Sequence, residues 1–302
     1  MKQIGICGAG QMGAAAAVSF QRAGYPVLLW ARNATKIPAI RRTLADLDAW
    51  LNTHVGEAGG ATASTEVVND LSCIDDRADV IMDAIAEDMG EKVSLFKALA
   101  GARDRGATFL TTTSGLSITE LGRQSETGTQ LVGTHFWNPP HLMPLVEVVR
   151  GQDSDPGRVD DVCEIINSIG KIPVRCEQDI PGFIGNRLLH AMWREAIYLV
   201  QRGIASPADI DRVARLTFGL RMPAVGPLEN IDLVGVDLVE TIHQYLPADL
   251  CNDPHPLPLL TQMKNEGLTF HDWELRDMET LVESRDRQIV HQLNFLKTLE
   301  AL

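Results

Sequence analysis

Apolar residues fall first into short continuous runs separated by polar turns, and later into longer stretches with helical spacing. Gln3–Cys7, Val27–Trp30, Ala78–Ile85 and Ala107–Thr111 read as buried strands, with another short strand predicted near Ala61–Ser64. Helical patterns lie between them. One starts in the small-residue run Ala14–Ala17 and reaches Ala23-Gly24, a second spans Pro38–His54 (Ile40, Leu44, Leu47, Leu51), and a third spans Glu91–Arg103. This alternation predicts a doubly wound, mostly parallel sheet. Further strands are predicted at Gln130–His135, Met143–Val149 and Ile172–Cys176, with helices over Ser117–Ser125 and Pro156–Ile169, the latter stopped by Gly170. After Pro181-Gly182 every pattern is helical: Phe183–Gln201, a helix behind the cap Ser206-Pro207-Ala208-Asp209, Leu233–Leu246, Pro258–Glu266 and Trp273–Leu299. The expected organisation is an α/β domain over residues 1–178 and an all-α domain over 179–302.

The first strand runs into Gly8-Ala9-Gly10-Gln11-Met12-Gly13 and then into a helix and a second strand, the context that gives a G-x-G-x-x-G turn its meaning. Gly8 makes the tight turn, Gly10 lets the backbone approach a pyrophosphate, and Gly13 lets helix and strand lie close. The helix N-terminus supplies amide donors for the phosphates. A Rossmann-type dinucleotide-binding domain follows, with Gly8, Gly10, Gln11, Met12 and Gly13 as candidate cofactor contacts. At the end of the second strand, Ala31-Arg32 stands where an acid would accept from the adenine ribose. Ala31 removes the repulsion of a 2'-phosphate and Arg32 offers a fork of donors to it, which favours NADP over NAD as cofactor. Arg32 equally suits stacking on adenine or a solvated position.

The totals narrow the class of partner. The 302 residues carry 27 basic and 40 acidic side chains, a formal charge of −13. That balance argues against nucleic acid and against acidic membrane surfaces. No apolar run approaches the length of a membrane span, and Met1-Lys2-Gln3 leaves no room for a signal peptide before the first strand. The five cysteines contain no C-x-x-C pair, so a cytoplasmic protein with reduced thiols is expected.

Candidate chemistry concentrates in residues 111–149. The turn Thr113-Ser114-Gly115 follows one apolar run, and His135 ends another. Asn138-Pro139-Pro140 then turns the chain, and the returning run carries Glu147. Glu147 is placed to hold one ring nitrogen of His135 and support its positive charge, so that the other nitrogen acts as base or acid. Ser114 suits donation to a reacting oxygen or capping of the following helix. Asn186, at the start of the second domain's first helix, suits holding the imidazole or the substrate, or simple exposure. Glu87, after the strand ending near Ile85, is either a site acid or a first-turn helix acid. Trp137 either lines a pocket or packs the turn. The histidines show no zinc spacing, so no metal is expected.

These segments resemble the 3-hydroxyacyl-CoA dehydrogenase family over nearly the whole chain. GAGQMG (8–13), DAIAED (83–88), TTSGLSIT (112–119), GTHFWNPPHLMPLVEVV (133–149), DIPGFIGNRLL (179–189), SPADIDRV (206–213) and GPLENIDLVGVD (226–237) carry the likeness in order. The resemblance implies His135 as catalytic base, Glu147 as its partner, Ser114 and Asn186 completing the site, and Glu87 near the nicotinamide. It also implies oxidation of a 3-hydroxyl to a ketone and a homodimer formed through the helical domain. The chain departs from the acyl-CoA members at Ala31-Arg32 and at Gly115, which follows Ser114. It also departs in the absence of any Lys or Arg between Arg42 and Arg77, and in the shortened Asn265–Trp273 turn. These departures point to relatives acting on free hydroxy acids, the gulonate, carnitine and lambda-crystallin-like branch. The expected substrate is a small 3-hydroxy acid or 3-hydroxyacyl compound. A true 3-hydroxybutyryl-CoA dehydrogenase, a reductive aminase of keto compounds and a non-catalytic nucleotide-binding protein are the alternatives.

Overall fold

The computed structural model describes residues 1–272 and 275–298. The strands are β1 (Ile4–Cys7), β2 (Val27–Trp30), β3 (Thr65–Val68), β4 (Val80–Asp83), β5 (Thr108–Thr111), β6 (Leu131–Phe136), β7 (Leu145–Val149) and β8 (Ile172–Cys176). They form one sheet in the order β3-β2-β1-β4-β5-β6-β7-β8, parallel except for the antiparallel pair β6–β7. The reversal of strand order between β1 and β4 makes the switch point at which such sheets bind ligands beyond their carboxyl ends. Cys7, Asp83 and Thr111 are in register there, so the loops after β1, β4 and β5 emerge side by side.

The helices flanking the strands are α1 (Gln11–Arg22), α2 (Ile37–His54), α3 (Ser72–Arg77), α4 (Met89–Ala98), α5 (Ala100–Asp104), α6 (Ile118–Ser125) and α7 (Pro156–Ser168). Asp88, Ser117 and Asp155 cap α4, α6 and α7 by accepting backbone N–H bonds, each cap worth about 1 kcal/mol. The later helices are α8 (Gly185–Gln201), α9 (Pro207–Leu216), α10 (Phe218–Arg221), α11 (Pro227–Val234), α12 (Val236–His243), α13 (Leu246–Asp249), α14 (Pro258–Glu266) and α15 (Leu275–Thr298). The chain divides into two compact units, Met1–Asn186 and the residues from Arg187 onward. The first is the Rossmann-type α/β unit and the second is helical.

Five segments differ from the reading above. The strand predicted near Ala61–Ser64 lies at Thr65–Val68, because the Gly- and Ala-rich 56–64 segment has few side chains suited to a sheet. The helix predicted over Glu91–Arg103 breaks at Leu99, and α5 begins anew where the Asp75 carboxylate accepts the Ala102 N–H at 2.7 Å. Helix α3 is too short to show a periodic pattern. Gly235, at φ 98°, separates α11 from α12 within the stretch read as Leu233–Leu246. Phe183 is not the start of α8: Gly182 and Phe183 both take positive φ, 76° and 49°, which a right-handed helix cannot accommodate. The predicted last helix extended to Trp273 and Leu299, which lie outside the described residues. Among the described residues no helix is long and apolar enough to cross a membrane.

Candidate active site

The glycine turn is built by close approach. Gly8 takes φ 115°, and a Cβ there would lie 2.4 Å from the carbonyl oxygen of Ala84, at the adjacent strand end. A Cβ on Gly13 would lie 1.8 Å from the carbonyl oxygen of Gly8, so α1 can start here only with glycine. Space is open around Gly10, the N-cap residue. No side chain caps α1, and its first turn carries no acid. Half-buried Met12 and exposed Gln11 follow, and Gln11 donates to the Asn138 side chain at 3.4 Å, linking this turn to the one after β6. Open backbone amides at a helix N-terminus without a competing carboxylate fit the pyrophosphate of a dinucleotide. At the end of β2, Ala31 is buried and donates to Val68, whereas Arg32 is exposed. Gly13→Ala should lower cofactor affinity by at least about tenfold, roughly 1.4 kcal/mol, because the added methyl must displace backbone. Cofactor titration and thermal melting of the purified variant measure this.

His135 and Glu147 face one another in the antiparallel β6–β7 register. The imidazole Nδ1 lies 2.7 Å from Glu147 Oε2, and both residues are buried, at 5% and 2% exposed. Glu147 Oε1 accepts the N–H groups of Ile184 and Gly185, both at 2.9 Å. Burial by itself would raise the Glu147 pKa. The hydrogen bonds from His135, Gly185 and Ile184 outweigh it and hold the carboxyl below the usual glutamate value. A carboxylate cannot donate, so Nδ1 carries a proton, and in the neutral ring it is Nε2 that keeps the lone pair. Two aromatic rings stand beside the imidazole, Trp137 with centroids 5.1 Å apart and Phe183 at 5.8 Å.

Beside this pair, Glu87 organises the turn after β5. Its Oε1 accepts from Thr113 Oγ1 at 2.5 Å, from the Ser114 N–H at 2.8 Å and from the Gly115 N–H at 3.3 Å. Thr113 Oγ1 also accepts the Leu116 N–H at 2.9 Å. Asp88 rather than Glu87 caps α4, and Ser117 rather than Ser114 caps α6. Asn186 Nδ2 donates to the Ser114 carbonyl at 3.1 Å, so its amide engages the serine's backbone instead of the imidazole. Ser114 is thus fixed on both sides of its Cα while the residue stays exposed.

Four features of this region carry no functional signal in the sequence. Buried Lys92 pairs with buried Asp83 and reaches to within 3.8 Å of Glu87; a lysine on a helix reads as solvated surface. Thr113 looks like a turn residue, and Phe183 looks like the first apolar position of a helix. The backbone donors of residues 184 and 185 have no signature in side-chain identity at all.

Comparison with known proteins identifies the family. Residues 3–180 match the family model of the 3-hydroxyacyl-CoA dehydrogenase NAD binding domain, and residues 182–269 match that of the 3-hydroxyacyl-CoA dehydrogenase C-terminal domain. The chain belongs to the 3-hydroxyacyl-CoA dehydrogenase family. It is an NAD(P)-dependent oxidoreductase. A probable 3-hydroxybutyryl-CoA dehydrogenase of Bacillus subtilis is 33% identical over 91% of this chain and 98% of its own length. A 5-formyl-3-hydroxy-2-methylpyridine 4-carboxylate 5-dehydrogenase of Mesorhizobium japonicum is 28% identical over 87% of this chain and 85% of its own. A solved structure of an enzyme of that activity, described as an NAD+-dependent dismutase, superposes with TM-score 0.91 at 27% identity, covering 98% of this chain and 99% of the other. The (S)-3-hydroxybutyryl-CoA dehydrogenase of Ralstonia eutropha gives TM-score 0.71 at 25% identity, over 88% and 94%.

Proposed function

We propose that the protein interconverts the secondary alcohol of a small, free 3-hydroxy acid and its 3-keto form. The observation that carries this reading is the buried His135–Glu147 pair, whose hydrogen bond leaves Nε2 as the only ring nitrogen able to take a proton. In oxidation His135 Nε2 accepts the hydroxyl proton, and Glu147 stabilises the imidazolium that results; in reduction the imidazolium returns it. Ser114, held by Glu87 and Asn186, orients the reacting oxygen. Gly8, Gly10, Gln11, Met12 and Gly13 would hold the dinucleotide's phosphates, and Glu87 would serve near the nicotinamide, as the family likeness implies. The bound nicotinamide supplies the hydride chemistry.

Freedom from CoA is supported by the α2 region. Between Arg42 and Arg77 no cation is available to a CoA phosphate, while Asp46, Asp48 and Glu57 are present. Arg22, which reaches α2 from α1, is engaged by Asp48, Asn52 and the Gly56 carbonyl. Trp50 stacks on His54 and sets its edge against His141 in the turn after β6, so aromatic groups occupy that side of α2. The TM-score of 0.91 with a pyridine-carboxylate enzyme, against 0.71 with a hydroxybutyryl-CoA enzyme, points the same way. It also favours a second reading in which the substrate is a small ring-bearing acid or its aldehyde, with the same proton transfer at His135.

The test is the change in reduced-nicotinamide absorbance with L-gulonate, L-carnitine, other short 3-hydroxy acids, 5-formyl-3-hydroxy-2-methylpyridine 4-carboxylate and a 3-hydroxybutyryl-CoA, each with NAD+ and NADP+. Turnover of a free acid supports the first reading, and turnover of the pyridine aldehyde alone supports the second. Preference for the CoA ester overturns both.

For the cofactor we propose NADP, on the ground of buried Ala31 and exposed Arg32 at the end of β2. Arg32→Ala should then raise KM for NADP+ by about tenfold, the loss of one charge-assisted contact of roughly 1.4 kcal/mol, and leave KM for NAD+ within about twofold. A wild-type kcat/KM that favours NAD+ would refute the preference. The second unit exposes many large apolar side chains, among them Leu216, Leu220, Leu228 and Leu233, which supports the homodimer implied by the family likeness.

A further inference from the structure

We propose that Phe183 is a positioning residue for His135, acting through the turn Gly182–Gly185 that holds both members of the pair. Phe183 takes φ 49°, a left-handed conformation that side chains other than glycine rarely adopt, and follows Gly182 at φ 76°. A glycine would suit the position, yet it carries a phenyl ring that is only 1% exposed and lies 5.8 Å from the imidazole. Non-glycine residues in such conformations concentrate at functional sites. The next two residues give their amides to Glu147 Oε1. The turn therefore touches the carboxylate through its backbone and the imidazole through its one large side chain.

The seat of this turn is equally specific. A Cβ on Gly185 would lie 2.2 Å from Cζ2 of Trp137, so the indole occupies the space a side chain would need. Trp137 in turn sets its ring 5.1 Å from His135. A single hydrogen bond from Nδ1 to Glu147 leaves the imidazole able to swing about its Cβ–Cγ bond. The phenyl ring limits that swing and keeps Nε2 aimed at one point. A displacement of about 1 Å in a reacting group can cost on the order of 100-fold in rate.

This inference rests on the proton-transfer role of His135, and its test has one arm that needs no substrate. Protein labelled with 15N-histidine reports the imidazole tautomer directly, and His135→Gln assigns the signal. Wild-type protein should show only the Nδ1–H tautomer for His135. Phe183→Gly keeps a residue suited to the left-handed turn and removes the ring. It should give a mixed or exchange-broadened His135 signal while NADP+ and NAD+ dissociation constants stay within about threefold. With the best substrate of the panel above, kcat should fall by roughly 30- to 100-fold with KM within about threefold. Phe183→Leu, which keeps apolar volume without a ring, serves if the glycine variant does not fold and should fall between it and wild type. A folded variant of either kind that keeps a single tautomer, or keeps wild-type kcat, overturns the proposal; a lower melting temperature alone does the same. If wild-type protein turns over no panel substrate, the assigned reaction fails, while a mixed His135 signal in Phe183→Gly still supports the positioning role and an unchanged single tautomer still overturns it.

Discussion

His135→Gln should lower kcat by about 1,000- to 10,000-fold, or roughly 4–5.5 kcal/mol of transition-state stabilisation, while cofactor affinity stays within about threefold. Glutamine is close to histidine in reach and its amide N–H can still donate to Glu147, so the carboxylate and the Ile184–Gly185 amides keep their partners. What it lacks is a ring nitrogen with a lone pair that can take up the hydroxyl proton. The loss should appear in kcat and kcat/KM together, because the proton moves only as the reaction proceeds. Cofactor binding is spared because the glycine turn after β1 lies on a different strand end and is linked to this region through Gln11 and Asn138, not through the imidazole. Steady-state kinetics and a cofactor titration on the same preparation decide it. Turnover within tenfold of wild type would remove His135 from the proton-transfer step.

The sheet and the His135–Glu147 pairing were legible because side-chain chemistry determines them locally. Short β-branched and apolar runs marked the strands at Val27–Trp30 and Ile172–Cys176 to the residue. The glycine spacing is dictated by contacts too close for any Cβ, and the run from His135 through Asn138-Pro139-Pro140 to Glu147 carries its own turn. Less legible was whatever depends on backbone conformation or on buried charge. Phe183 continues the apolar spacing of α8 but sits in a left-handed turn, a choice set by Trp137 and Glu147 far along the chain. Lys92 is polar and lies on a helix, yet Asp83 draws it into the interior. Asn186 was placed correctly at the start of α8, but its partner is the Ser114 carbonyl, and a backbone acceptor leaves no trace in residue type.

Glu147→Gln offers the sharper test, because the surrounding donors decide how the new amide must sit. Two backbone N–H groups, from Ile184 and Gly185, point at Oε1. An amide nitrogen turned toward them would set donor against donor, so the glutamine oxygen takes that place and its NH2 faces His135 Nδ1. Nδ1 must then accept, which moves the imidazole proton to Nε2 and leaves no lone pair for the substrate hydroxyl. The analogous loss of tautomer control in a serine protease lowers kcat by about 10,000-fold with geometry intact, and a fall of about 1,000- to 10,000-fold is expected here. The same variant tests the electrostatics of folding. The native Glu147 carboxyl sits below its unfolded value, so it contributes stability that is complete above the ordinary glutamate range and disappears as pH falls through the lowered native value. Glutamine does not titrate, so the variant's melting temperature should be less sensitive to acid than that of wild type over this window. A variant that keeps most of its turnover would show that the proton on Nδ1 is fixed by something other than this carboxylate. An unchanged acid limb of stability would show that the carboxyl is not held in its charged form by His135 and the start of α8.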